Sequence, residues 1–367
     1  MNQYAALDVS LEQTAICVVD ETGRKLIEGK VVTCPDAITM WVREKTVALT
    51  KVGMETGPLA VWLWNELSKR GLPIVCLDAR HASAALSMMP NKTDRHDAAG
   101  LAQIVRTGWY KEVRIKSHEA YVVRALLAAR HTLVGIRGRI ENEIRGLLKT
   151  FGVMFGKKVG GFARRADEII AQELSVSPEL RTVIETLVDT RRAILDRIRV
   201  LDRRVYALAK KNRTARLFMT APGVGAITAL SVASAYDDPA RFARSASAGA
   251  YFGLTPRRYE SGEVSRNGHV SKRGNRMTRT HLYEAANVIL TRGNRFSTLK
   301  AWGLRLAKAS GFKRAKVAVA ASSPSSFTQC GKPTHHSATV PKPPDPLSCA
   351  CLRSLHGCVL AGTLGAD

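Results

Sequence analysis

The chain opens on three short, mostly apolar runs separated by turn residues: YAALDVS, then TAICVVDETG, whose last three residues supply a turn, then KLIEGKVV. Strand-length runs joined this tightly predict an antiparallel meander. Past Pro35 the period lengthens. DAITMWVREK reads as a helix, KVGMET as a short apolar strand, LAVWLWNELSKRG as a helix closed by Gly71 and PIVCLDA as a strand, with a further helix from Arg80. This alternation predicts an α/β sheet. Residues 118–150 and 177–210 then carry apolar side chains three and four apart, among them Val123, Leu126, Leu127, Leu133, Ile136, Ile140 and Ile144, which predicts two long helices. The Gly-rich, basic stretch FGKKVGGFARRADE breaks the pattern between them, so the pair is expected to fold back as an antiparallel hairpin, one way to build a dimerising coiled coil. From 214 to 320 the pattern is mostly helical, and APGVGAITA sets a turn between two helical stretches in the manner of a helix-hairpin-helix. Its backbone N–H groups can face a phosphate, although Pro-Gly-Val-Gly is also an ordinary turn.

These patterns divide the chain into an α/β domain over 1–115, a helical spacer over 116–212, a mostly helical domain over 213–320 and a tail over 321–367. Charge follows the division. The whole chain has 56 Lys and Arg against 31 Asp and Glu, a net charge of +25. Residues 1–110 hold 12 of each sign, residues 111–210 hold 21 basic and 12 acidic, and residues 211–320 hold 20 and 5. A neutral first domain joined to strongly basic ones suggests a chemical module with a separate grip for a polyanion, because phosphate contacts supply most sequence-independent affinity for nucleic acid.

Other classes are disfavoured. The start MNQYAALDVS lacks the basic end and apolar stretch of a secretory signal, and no run approaches the roughly 18 apolar residues of a membrane span. Cys17, Cys34 and Cys76 fall in or beside strands, a usage that fits a reduced cytoplasm and no disulfide framework.

Four acids stand out. Asp8 lies inside a strand between Leu7 and Val9, where an acid is costly without a cation or a hydrogen-bond network. Glu55 closes the strand KVGMET, at the strand end where α/β folds place their sites. Asp94 and Asp97, in NKTDRHDAAGLAQIV, are three apart at a helix start and share a face. Taken singly, Asp8 could cap a turn, Glu55 pair with a lysine and Asp94 cap its helix. As a set they predict a site for hard divalent cations, Mg²⁺ or Mn²⁺, of the kind that cuts phosphodiesters with two ions about 4 Å apart.

LDVS, METG and KTDRHDAAGLA, in this order, resemble the RuvC-like DEDD domain of the IS110 insertion-sequence transposases, which include the pilin-gene inversion recombinases. APGVGAITA, RFARSASAGAYFGLTPRRYESGE and VSKRGNRMTRTHLYEAA resemble that family's second conserved domain, so the likeness runs from residue 1 to about 320. The resemblance implies an RNase H-like first domain with Asp8, Glu55, Asp94 and Asp97 as metal ligands. It also implies a transposase that cuts and exchanges DNA strands with a serine nucleophile, guided by a noncoding bridge RNA. Ser261 matches the nucleophile's position, with Ser265 and Ser271 as nearby alternatives; by its residues alone, a serine beside glycine in a basic loop is a turn residue. Arg257, Arg258, Arg266, Lys272, Arg273, Arg276 and Arg279 surround it, with Tyr259 among them, as a phosphate-binding surface would require or as a solvated basic helix face would show.

After Ala320 the expected helical period stops. The remaining residues hold six of 14 prolines and four of seven cysteines. Cys349, Cys351, Cys358 and His356 do not match a zinc-finger spacing. A frameshift explains the tail better: with TCN serine codons, the shifted frame from Ser323 to Phe327 reads apolar, small, apolar, apolar, apolar, and a disordered, altered end of a degenerate gene copy is expected. The reading is thus a cytoplasmic, nucleoid-associated recombinase acting as a dimer or tetramer on DNA, with no membrane partner. The rivals are a RuvC-type structure-specific nuclease and a non-catalytic nucleic-acid-binding remnant.

Overall fold

The apolar runs at the start of the chain become a five-stranded sheet. In the computed structural model, which describes residues 1–87, 94–155, 161–172, 177–238, 246–292 and 297–330, the chain divides into two units, Met1–Lys116 and the part from Ser117 onward.

In the first unit β1 (Gln3–Val9), β2 (Gln13–Asp20) and β3 (Lys25–Val32) form the expected meander, and β4 (Leu49–Glu55) and β5 (Ile74–Leu77) extend it in parallel with β1, giving the order β3-β2-β1-β4-β5. Helices cover both faces. α1 (Pro35–Lys45) and α2 (Ala60–Lys69) lie together on one, where the Trp41 indole fills the space over Gly29. α3 (Ala79–Leu86) and α4 (Asp94–Thr107) cover the other. There Ala98, Leu101, Ala102 and Val105 of α4 pack on Ala6, Ala15, Cys17 and Leu77. Gly53 lets the helix approach this closely, because a Cβ on it would overlap the Val105 side chain.

The second unit starts with two long helices, α5 (His118–Thr150) and α7 (Pro178–Lys211). Arg130 bonds Asp202 at 2.5 Å and Arg191 bonds Glu141 at 2.8 Å, so later residues of α5 meet earlier ones of α7 and the helices run antiparallel. Arg191 is buried, held between Glu141 and the face of Phe162, whose centroid is 4.5 Å from the guanidinium. Phe162 belongs to α6 (Phe162–Gln172), which fills the end of the hairpin through Ala166 and Ile169 packed on Ile144, Leu148, Ile184 and Val188. The stretch read as a mere break therefore contains a helix, whose signal is the spacing of Phe162, Ala166, Ile169 and Ile170 behind a glycine-rich lead.

α8 (Arg213–Met219) leads through the Pro-Gly-Val-Gly turn into α9 (Ala226–Tyr236), a helix buried at every residue except Ile227. At the turn Gly223 packs against α11, where a Cβ would stand 2.7 Å from Ile289 and 2.9 Å from the Ala285 carbonyl oxygen. α10 (Ala246–Tyr251), α11 (Arg276–Thr291), α12 (Thr298–Ser310) and α13 (Phe312–Cys330) complete the helical core, in which Tyr236 meets Phe218 edge-on. Two features depart from the helical pattern expected here. β6 (Pro256–Ser261) and β7 (Val264–Val270) form an antiparallel ribbon where a loop was expected, and α13 carries the helix ten residues beyond Ala320. The tail beyond Cys330, including the Cys and His cluster, lies outside the described residues.

Candidate active site and nucleic-acid interface

Two of the four acids meet by strand register. Leu7 of β1 pairs with Met54 of β4 in parallel, so Asp8 and Glu55, one residue further on, emerge side by side. Alternation along each strand sets their direction. Asp8 shares a face with Ala6 and Glu55 with Gly53, and Ala6 and Gly53 both lie under α4. The two half-buried carboxylates line a cleft of about 220 Å³ together with Ser10, Thr56, Gly57 and Pro58.

The direction of α4 places Asp97. At its C-terminal end Gln103 Nε2 donates to the Gly23 carbonyl at 2.6 Å and Arg106 donates to the Glu21 carbonyl at 3.1 Å. That turn lies at the sheet edge where β1 begins, since Gln3 pairs with Asp20. α4 therefore starts at the opposite edge, where β1 and β4 end, and half-buried Asp97 sits in its first turn. The Asp94 side chain lies outside the described residues. Among the described residues no three His, Cys, Asp or Glu side chains stand close enough to hold a metal ion. Asp8 and Glu55 are a pair in the cleft, and Asp97 is at the same edge. Their donor chemistry fits a hard divalent cation: two carboxylates with the hydroxyls of Ser10 and Thr56 in the same lining, and space for the water that such ions retain.

A further acid at this edge is Asp78, just past β5, which sequence reasoning did not single out. It is committed to structure. Its carboxylate caps α3 by accepting from the Arg80 backbone N–H at 3.1 Å and from the Arg80 side chain at 3.3 Å. Burial pushes its pKa up, but the Arg80 bonds outweigh it and hold the carboxyl below its usual value. The buried thiols offer no nucleophile: burial raises Cys17 and Cys76 to about 11, so both stay protonated near neutrality.

Ser261 ends β6 at the tip of the exposed ribbon, opposite Val264. The two-residue connection Gly262-Glu263 needs a positive φ at its first position, and Gly262 has φ 55°. Ser265 is on the neighbouring strand with Oγ 3.4 Å from Glu260 Oε1, and Ser271 is at the ribbon's base, where its N–H donates to the Thr255 carbonyl at 2.9 Å. Arg257, Arg258, Arg266, Lys272, Arg273 and Arg276 are all exposed, on the ribbon or at its base. Arg279 differs. Its Nη1 donates to the carbonyls of Phe252 at 2.9 Å and Arg273 at 2.8 Å, which ties the start of α11 to the segments flanking the ribbon. Burial, with Arg276 beside it, lowers its pKa from the usual guanidinium value.

In α11, His281 is half-buried, with no hydrogen-bond partner at Nδ1. Nothing in the sequence marked it, because one histidine on a helix carries no pattern.

Comparison with known proteins joins these features. Residues 5–152 match the DEDD transposase domain model of the IS110 group, a domain type that goes with divalent-metal dependence, and residues 215–301 match the transposase IS116/IS110/IS902 family model. The chain is 30% identical over 319 residues to the transposase for insertion sequence element IS1111A of Coxiella burnetii, covering 86% of this chain and 85% of that one. It is 29% identical over 203 residues to a probable family 20 transposase of Pseudomonas aeruginosa, covering 54% and 60%. The transposase for IS1328 of Yersinia enterocolitica is 27% identical over 202 residues, with 55% and 60% covered.

Proposed function

Because the chain belongs to the IS116/IS110/IS902 transposase family, and so is an enzyme that cleaves and rejoins DNA, we propose that it acts through the acidic cleft of the first unit and through Ser261 of the second. The observation that carries this reading is the emergence of Asp8 and Glu55 from adjacent parallel strands into one cleft. The strand order β3-β2-β1-β4-β5, with β2 antiparallel to its neighbours, supports an RNase H-like fold for this unit.

Asp8, Glu55 and Asp97, joined by Asp94, would hold Mg²⁺ or Mn²⁺. A bound divalent ion supplies charge stabilisation to the oxygens of the phosphoryl group. The carboxylates fix the ion, while Thr56 holds the edge of the cleft by accepting from the Ala79 N–H at 3.1 Å. Ser261 Oγ bonds to phosphorus as the bond to the leaving sugar oxygen breaks, and the hydroxyl proton ends on that oxygen. The product is a serine-linked strand end, ready for the reverse reaction with a new strand. A serine hydroxyl needs strong stabilisation of the phosphoryl charge to react near neutral pH, and the exposed arginines around the ribbon supply the cations for it.

The excess of 20 basic over 5 acidic residues in 211–320 supports a nucleic-acid grip; in the proposed reading it serves DNA and a guide RNA, in a cytoplasmic dimer or tetramer that brings DNA ends together. Among the described residues no helix is long and apolar enough to cross a membrane. The deciding experiment is a nicking assay on element-end DNA with and without Mg²⁺, followed by denaturing gels for a protein-linked strand. Metal-dependent nicking with a covalent adduct supports both parts. Nicking without an adduct favours hydrolysis by a RuvC-type nuclease, and no nicking favours the non-catalytic binder.

A further inference from the structure

The β6–β7 ribbon has two unlike faces. Tyr259 pairs with Arg266 and Ser261 with Val264, so these four side chains share one face, and alternation adds Arg257. On the other face Arg258 and Glu260 are 3.7 Å apart as an ion pair, and Ser265 Oγ reaches the same carboxylate. The ribbon's two acids are Glu260, on that second face, and Glu263, in the turn. The first face thus joins two arginines, an aromatic ring and the serine with no acid at its strand positions.

Tyr259 is held in place yet open. Its ring lies over Gly268, where a Cβ would stand 2.8 Å from Cε2, and 58% of the residue remains exposed. A large exposed ring braced against a glycine has no core to serve, whereas a flat ring sharing a face with two arginines is what nucleic acid uses for stacking and phosphate contact.

We propose that this face is the DNA-contacting side of the ribbon: Tyr259 packs against a base or sugar, and Arg257 and Arg266 hold the flanking phosphates so that the strand is registered against Ser261. The proposal deepens the reading of the chain as a DNA-cleaving transposase, but it concerns binding and stands apart from which serine reacts. The occupant is DNA because the enzyme's substrate is DNA and the face is charge-complementary to its backbone.

The test uses the full-length protein in EDTA, where no cleavage occurs, with fluorophore-labelled element-end DNA and an RNA of the same sequence, titrated at several salt concentrations. Tyr259→Ala should weaken DNA binding about fivefold or more, as loss of one stacking contact does, and Tyr259→Phe should restore it. Arg266→Ala should lower the slope of log K against log salt by about 0.9, the release expected for one phosphate, and Arg258→Ala should lower it less. Wild-type DNA affinity in both Tyr259→Ala and Arg266→Ala would overturn the proposal. So would a loss confined to RNA, or a larger loss from Arg258→Ala. The assay reads binding without metal and without strand cleavage, so failure of the serine reading in a cleavage assay leaves this result untouched.

Discussion

Asp8 and Glu55 leave the sheet side by side, one residue past the register pair Leu7 and Met54, although 46 residues separate them in the chain. Two like charges at adjacent strand ends repel, so the pair is poised to gain from a cation more than from each other.

Neutralising either acid should therefore separate stability from activity. Asp8→Asn or Glu55→Gln is expected to abolish Mg²⁺-dependent cleavage while DNA affinity stays within a few-fold. In a thermal melt, the wild type should gain stability as Mg²⁺ is added, as any ligand of the folded state confers, and both variants should lose that gain. Normal cleavage by Asp8→Asn, with its Mg²⁺ response intact, would remove the cleft from the mechanism.

The closeness of these two acids was only half legible in the sequence. Each was visible as an acid in an apolar strand, and the three-residue spacing of Asp94 and Asp97 was visible as a helix face. The register that brings Asp8 to Glu55 is set by long-range pairing, which no local pattern encodes. The meander and the long helices α5 and α7 were readable because one side of each is buried and stamps its period on the chain. The ribbon was not, since nearly every residue from Arg257 to His269 is exposed and an unburied strand has no apolar alternation. α13 hid for a related reason: its end is written in serine and proline, residues whose helix-breaking chemistry is overridden here by the packing of Ala315, Val319 and Ala320 into the core.

Ser261→Ala should eliminate strand cleavage and any covalent protein–DNA species. Because the side chain is exposed at a ribbon tip, the variant should melt within about 0.5 kcal/mol of the wild type. The adduct is the sharper readout: its persistence in Ser261→Ala and loss in Ser265→Ala or Ser271→Ala would reassign the nucleophile.

His281 predicts an acid-sensitive fold. Burial first, then the nearby His131 and Arg130, lower its pKa from 6.5 to about 4. Between these values the unfolded chain binds a proton that the folded chain refuses, so stability rises with pH across this window. The contribution is fully present above about pH 6.5 and is lost as pH falls through about 4. At pH 4.5 the loss should be about 2 kcal/mol relative to pH 7.5, measured as the difference in urea stability between wild type and His281→Gln. Parallel pH curves for the two proteins would contradict it.

The end of the described chain supports a last prediction. Ser323 is 3% exposed, its hydroxyl donates to the Val319 carbonyl one turn back at 2.9 Å, and it borders a cavity of about 70 Å³ among Ala221, Pro222, Val224, Ile289, Ser297 and Leu299. A mostly apolar lining beside Ser323 is poor complementarity, and Pro324, which follows, cannot donate to the Ala320 carbonyl as a helix interior requires. The changed reading frame expected from the sequence would account for both. With a TCN serine codon, the shifted codon at 323 ends in TC and encodes Phe, Leu, Ile or Val, any of which would reach into this space. Ser323→Leu should then stabilise the protein by roughly 1 kcal/mol, from the cavity filled and the apolar surface gained, with little loss from the hydroxyl because its bond is local. For a unit of this size the gain corresponds to a rise in melting temperature of roughly 2–4 °C. A lower melting temperature in Ser323→Leu and in the smaller Ser323→Val would show that the serine is native to its surroundings.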